Sequence, residues 1–178
     1  MKNILLPILF FSIAGCCKKT TVIVHYVNEE YKNFVPYKQN DTIVMLYNDT
    51  KVVNFVVSVE SQFISFDCSD WCCAVRNEFE QINYYLKADY PISDIVLILN
   101  ENNYLSISAF NSFVSIGYAN TNIIDSVVIN NQTYKNVYVS KFLNHYDEYI
   151  YVDSVYYNVL HGILKIFMSN NKNYTIYE

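Results

Sequence analysis

Cys68, Cys72 and Cys73 form the densest group of reactive side chains in the sequence. In an oxidising compartment Cys68 can bridge to either Cys72 or Cys73 across the intervening turn. The two adjacent cysteines make poor partners, because a bridge between neighbours forces the peptide geometry. One thiol is then left over, to be buried, paired with Cys17 or paired between molecules. Zinc binding lacks its two-plus-two ligand spacing and a nearby histidine. Three residues separate Cys68 from Cys72, so the Cys-x-x-Cys redox spacing is absent as well. The expectation is a structural staple rather than cysteine chemistry.

A different chemistry attaches to Cys16. It follows Lys2, an apolar run over 4–13, and the small residues Ala14 and Gly15. This is the pattern of a secretion signal, and the run is too short to serve as a permanent membrane span. Ile13-Ala14-Gly15-Cys16 resembles the bacterial lipobox, whose cysteine takes a diacylglyceryl group, becomes the first residue after cleavage and is then acylated on its amine. Two or three acyl chains anchor a protein durably where one does not. The expected organisation is a signal peptide over 1–15, a lipidated tether over 16–21 and a folded domain over 22–178, lying in the cell envelope at the outer membrane. Cleavage removes one of the 12 Lys and Arg and none of the 17 Asp and Glu, leaving a side-chain balance of −6. Such a surface disfavours nucleic acid and electrostatic attraction to anionic lipid.

Other candidates for chemistry are sparse. His25, His145 and His161 stand apart in the sequence. His145 lies near Asp147 and Glu148, carboxylates that more simply solvate a loop than hold a metal. A glycosidase needs only two carboxylates at the right separation, and nothing local singles out such a pair. Phosphate loop, nucleophile elbow and metalloprotease helix motifs are all missing. The expectation is a non-enzymatic protein with no catalytic residue, no metal and no cofactor.

The elements that would carry these residues read as strands. Eighteen Tyr and 11 Phe accompany many Val and Ile, with only 3 Gly and 3 Pro. β-branched and aromatic residues pack well on pleated surfaces. A strand over 22–27 precedes a polar stretch over 29–40, where Tyr31, Phe34 and Tyr37 can cover one end of the core. Strands over 42–47 and 51–57 flank Asn48-Asp49-Thr50, a tight-turn composition. A third strand over 63–66 is expected after Glu60-Ser61. The segment 74–89 fits a helix through Val75, Phe79, Ile82 and Leu86, or a strand by alternation; the extended reading is adopted. In Tyr104-Leu105-Ser106-Ile107-Ser108-Ala109 the Leu, Ile and Ala form the apolar face. Further strands are expected over 95–99, 114–119, 126–129, 134–139, 149–152 leading to 154–160, 163–168 and 174–177. The predicted fold is all-β, a single domain of antiparallel hairpins forming a curved sheet or sandwich with at most one short helix.

The segments Tyr134-Lys135-Asn136-Val137-Tyr138, Val155-Tyr156-Tyr157-Asn158, Gly162-Ile163-Leu164-Lys165-Ile166 and Asn171-Lys172-Asn173-Tyr174-Thr175-Ile176 resemble, in this order, the C-terminal half of a group of small lipoproteins of Bacteroidota. The likeness covers about 124–178, with weaker likeness near Cys72-Cys73, and Asn171-Lys172 stands where that group often has Gly. The resemblance implies an envelope β domain and carries over no catalytic residue. Asp-Ser/Thr-apolar triplets at Thr42, Ser126 and Ser154 resemble O-glycosylation sites of Bacteroidota, although Asp and Ser or Thr also commonly open a strand.

Tyr134, Tyr138, Tyr149, Tyr151 and Tyr157, if exposed on one sheet face, offer flat amphipathic contacts to an envelope protein or glycan; buried, they build the core. Three functions therefore stand open. The first is a lipid-anchored, non-enzymatic binding or assembly component of the envelope. The second is a lipid-anchored hydrolase of envelope or dietary polysaccharide or peptide, and the third is a transient lipid carrier.

Overall fold

The computed structural model describes residues 21–66, 75–88, 94–100, 104–110, 112–116, 121–141 and 150–177. Cys16, the signal segment, Cys68, Cys72, Cys73, His145, Asp147, Glu148 and Tyr149 lie outside the described residues. The elements in chain order are β1 (Thr21–His25), α1 (Glu29–Lys32), β2 (Thr42–Tyr47), β3 (Lys51–Phe66), β4 (Val75–Lys87) and β5 (Ile95–Asn100). They continue with β6 (Leu105–Ala109), β7 (Ser112–Ile116), β8 (Thr121–Ile129), β9 (Gln132–Lys141), β10 (Val152–Asn158), β11 (Gly162–Met168) and β12 (Asn173–Ile176).

All twelve strands join one sheet in the order β7-β6-β5-β4-β3-β2-β12-β11-β10-β9-β8, with β1 paired to β4 outside this path. Every pairing is antiparallel except the parallel pair of β1 with β4. The predicted all-β class and the antiparallel hairpins are therefore present, with one short helix among the described residues, and the sheet curls until it is nearly a barrel. Hairpin signals act where expected. Asn130 and Asn131 both have positive φ, at 49° and 67°, the backbone a two-residue hairpin turn requires. Asn48 and Asp49 do the same between β2 and β3.

The near-closure joins β7 to β9 and β10 through side chains. The Val152 N–H donates to Ser112 Oγ at 2.9 Å, and Ser140 Oγ donates to the Ser115 carbonyl at 3.0 Å. Inside, alternate residues of the strands meet in one cluster that includes Met45, Phe55, Leu97, Ile107, Tyr157 and Tyr174, all essentially inaccessible. The alternation read in β6 holds: Leu105, Ile107 and Ala109 are core residues. Two bulges bend the sheet, one beside Asp153 in β10 and one at Leu164 in β11, where the pairing register shifts.

The segment between β1 and β2 crosses one end of the barrel. Asn28 caps α1 by accepting the Glu30 N–H, and Val27, Val35 and Tyr37 enter the main core. Tyr31 packs against that core and Phe34 contacts Tyr138, so these aromatics close the end as the sequence suggested. Buried hydrogen bonds pin the plug. The Tyr157 hydroxyl donates to the Phe34 carbonyl, the Ile163 N–H donates to Tyr37 Oη at 2.6 Å, and the Val27 N–H donates to Glu80 Oε2 at 3.0 Å.

One expectation needs correction. No break occurs at Glu60-Ser61: β3 runs unbroken to Phe66, pairing with β4 over its full outer half. The polar pair reads as a turn in sequence, but the Ser61 hydroxyl donates to the buried Glu80 carboxylate at 3.1 Å. The strand expected over 22–27 is β1, which lies parallel to β4 and is followed by the plug before β2. The segment 75–87 is a strand, in line with the extended reading of 74–89.

Candidate functional site

Two grooves flank the turn between β10 and β11. That turn is built by Asn158, whose Oδ1 accepts the Leu160 N–H at 2.8 Å and the His161 N–H at 3.2 Å. An asparagine that bonds its own backbone two residues on is a local turn former. Its Nδ2 donates to the Lys135 carbonyl at 2.7 Å, so the same side chain ties the turn to β9. Gly162 ends the turn at φ +78°, a conformation that side chains resist.

The rigid turn leaves Leu160 projecting into solvent at 80% exposure. One groove, about 700 Å³, runs between the turn and β9, past Tyr134, Asn136 and Tyr138. The second, about 370 Å³, lies between the turn, the plug and the end of β12, past Pro36, Asp41, Thr42 and Tyr177. Leu160 and His161 line both. His161 meets Tyr134 edge to face with ring centroids 5.0 Å apart.

Chemically the grooves are mild. Asp41 is the carboxylate lining the smaller one, and its Oδ2 accepts the Lys38 N–H. The described lining of the larger groove contains no carboxylate. Tyr37 and Tyr157 sit behind the turn, and burial pushes both hydroxyls well above their ordinary pKa near 10. They serve as fixed neutral hydrogen-bonding groups. Among the described residues no group of three His, Cys, Asp or Glu is placed to hold a metal, and no helix is long and apolar enough to cross a membrane.

The tyrosines do not form one exposed stripe. Tyr157 is fully buried in the barrel and Tyr134 is buried at 3% exposure, while Tyr138 and Tyr151 are half-buried. Between Tyr134 and Tyr138, Asn136 takes φ +53°. Tyr138 then packs on the main core, whereas Tyr134 joins a second cluster with Ile129, Val137, Leu164 and Ile176. Even spacing in the sequence thus serves two different cores. Of the proposed modification sites, Thr42 and Ser126 are exposed, but Ser154 is buried at 5% exposure and has no room for a sugar in the folded chain. His25 lies far from the turn, with its Nε2 at 3.1 Å from Asn77 Oδ1 and its ring stacked on Phe79.

Sequence reasoning passed over Leu160 and Tyr177. The available signal was Asn158 four residues before Gly162, a turn composition with an apolar residue between. Fold and site together define a nearly closed antiparallel barrel, plugged at one end, that presents an apolar knob between two grooves. Comparison with protein-family models, curated proteins and solved structures finds no match.

Proposed function

We propose that this chain is a lipid-anchored protein of the cell envelope that acts as a non-enzymatic binding or assembly component, and that its partner is another envelope protein seated on the turn between β10 and β11. The observation that carries this reading is Leu160, an apolar side chain 80% exposed on a turn fixed by three side-chain hydrogen bonds from Asn158. Ordering such a knob costs a partner little, because its backbone is already held. The grooves beside it offer Tyr138, Tyr177 and the His161 ring, side chains suited to protein contacts.

A glycan is less well served, since Tyr134 is buried and turns its ring against His161 instead of presenting a platform. The hydrolase reading needs two convergent carboxylates, and Asp41 stands without a second one in the described lining of either groove. The carrier reading needs an apolar cavity, whereas the described inward side chains of the barrel pack against one another in one continuous cluster. The Ile13-Ala14-Gly15-Cys16 box and the resemblance to small lipoproteins of Bacteroidota support the envelope anchor.

The test places a photo-crosslinking amino acid at Tyr177 in the full chain expressed in its own membranes. One protein adduct that disappears when Leu160→Asp is added supports the reading. An adduct indifferent to Leu160→Asp, or one made of glycan, overturns it. In parallel, Cys16→Ser should abolish incorporation of labelled fatty acid; continued incorporation would refute the anchor.

A further inference from the structure

The outer halves of β3 and β4 extend beyond the barrel as a ribbon, with β1 paired along the outer part of β4. Alternation gives this ribbon two unlike faces. On the face continuous with the barrel interior Arg76, Glu78 and Glu80 stand among the exposed Val22, Val24 and Phe63, and the charges are bonded: Arg76 reaches Glu78 at 3.3 Å and donates to Ser65 Oγ at 2.7 Å. The opposite face is formed by Ile23, His25, Ile64, Phe66, Val75 and Phe79; over the described stretch beside β1, residues 21–25, 64–66 and 75–79, it carries no Asp, Glu, Lys or Arg, and Glu60, paired with Asn83, is the first charge further along it. Its polar groups are turned on each other, His25 to Asn77, and its rings are packed together, Phe79 against both His25 and Phe66. Phe66 is nevertheless 65% exposed, and Ile23, Ile64 and Val75 are exposed beside it.

A flat apolar face of this kind on a three-stranded ribbon invites aggregation unless something covers it. The position of the chain's anchor argues for what that is. Four residues lie between Cys16 and Thr21, the first residue of β1, and the five Cα steps that join them span at most about 18 Å. A lipidated Cys16 therefore holds the start of β1, and with it this ribbon, near the headgroup layer. We infer that the uncharged face of the β1–β4–β3 ribbon lies in the interfacial layer of the membrane that holds the Cys16 acyl chains. The inference rests on the lipid-anchored reading. A surface that enters the headgroup layer keeps its charges on the other side, and here the described charges beside β1, Arg76 and Glu78, stand on the opposite face.

The experiment uses full-length lipidated protein reconstituted in phosphatidylethanolamine–phosphatidylglycerol vesicles containing mid-chain brominated phosphatidylcholine. Trp71, the single tryptophan, is replaced by Phe, and a reporter is introduced as Phe66→Trp or, as a control, Leu160→Trp. Both positions are exposed, so both variants should fold. The expected result is a blue shift and strong loss of fluorescence by bromine at position 66, with neither at 160. Equal solvent-like emission at both positions, in protein whose mass shows the acyl groups and which floats with vesicles, overturns the docking alone. Crosslinking of position 66 to a second copy without bromine quenching overturns it in favour of self-association. A mass without acyl groups overturns the docking together with the anchor.

Discussion

The Tyr37 ring occupies the space that a β-carbon on Gly162 would take, while its hydroxyl accepts the Ile163 N–H at 2.6 Å. One residue of the plug and one of the β10–β11 turn are thus fitted to each other across the end of the barrel. Gly162→Ala would force the methyl into that ring and place a side chain at φ +78°. Strain at such a backbone position alone costs about 1–3 kcal/mol. The expected result is a fall in the urea midpoint with an unchanged slope, larger than that of Tyr37→Phe, which removes only the hydroxyl. Equal midpoints for Gly162→Ala and wild type would contradict the fit.

Asn158 should couple the turn to β9. Asn158→Asp keeps an acceptor for the Leu160 and His161 N–H groups but loses the donor to the Lys135 carbonyl. Amide exchange over 132–137 is expected to quicken while β5 and β6 remain protected. Asn158→Ala removes all three bonds and should lose about 2–4 kcal/mol, at roughly 1 kcal/mol for each bond and more for the buried groups left unpaired. Uniform exchange in Asn158→Asp would show that β9 is held by its cluster instead.

Leu160→Asp separates binding from stability. The side chain touches solvent on most of its surface, so unfolding free energy should stay within about 0.5 kcal/mol of wild type. Partner capture through Tyr177 should be lost. A variant that unfolds more easily would mean that Leu160 supports the turn rather than a partner.

Alkaline pH should weaken the fold. Burial raises the Tyr37 and Tyr157 pKa above the ordinary value near 10. Their folded pKa lies above the unfolded one, so the stability is fully present below pH 10 and is lost progressively above it. Denaturant midpoints measured upward from pH 8 should therefore hold level and then decline above about pH 10. Tyr157→Phe should flatten part of that decline, and an identical profile in this variant would remove Tyr157 from the account.

Modification should follow exposure. If the Asp-Ser/Thr triplets are glycosylated after folding, mass spectrometry of envelope-purified protein will find sugar at Thr42 or Ser126 and none at Ser154, which is buried in β10. Sugar on Ser154 would refute this ordering.

The sequence by itself determined the class of fold and many of its hairpins. Period-two alternation is a local property, so Leu105, Ile107 and Ala109 declare their buried face without reference to any neighbour, and Asn130-Asn131 carries its turn in its own backbone preference. The tertiary structure alone decided which strands continue, where the sheet closes and what remains outside. Glu60 and Ser61 look like a break until the ladder with Asn83 and Ile82 supplies their partners. Tyr134 and Tyr138 look like one stripe until the left-handed Asn136 sends them to different cores. Leu160 looks like one more apolar residue in a strand. Its exposure follows from the Asn158 turn, the Gly162 backbone and the plug behind them, contacts between segments more than a hundred residues apart in the chain. Local periodicity cannot encode such contacts, because they exist only once the sheet has curled.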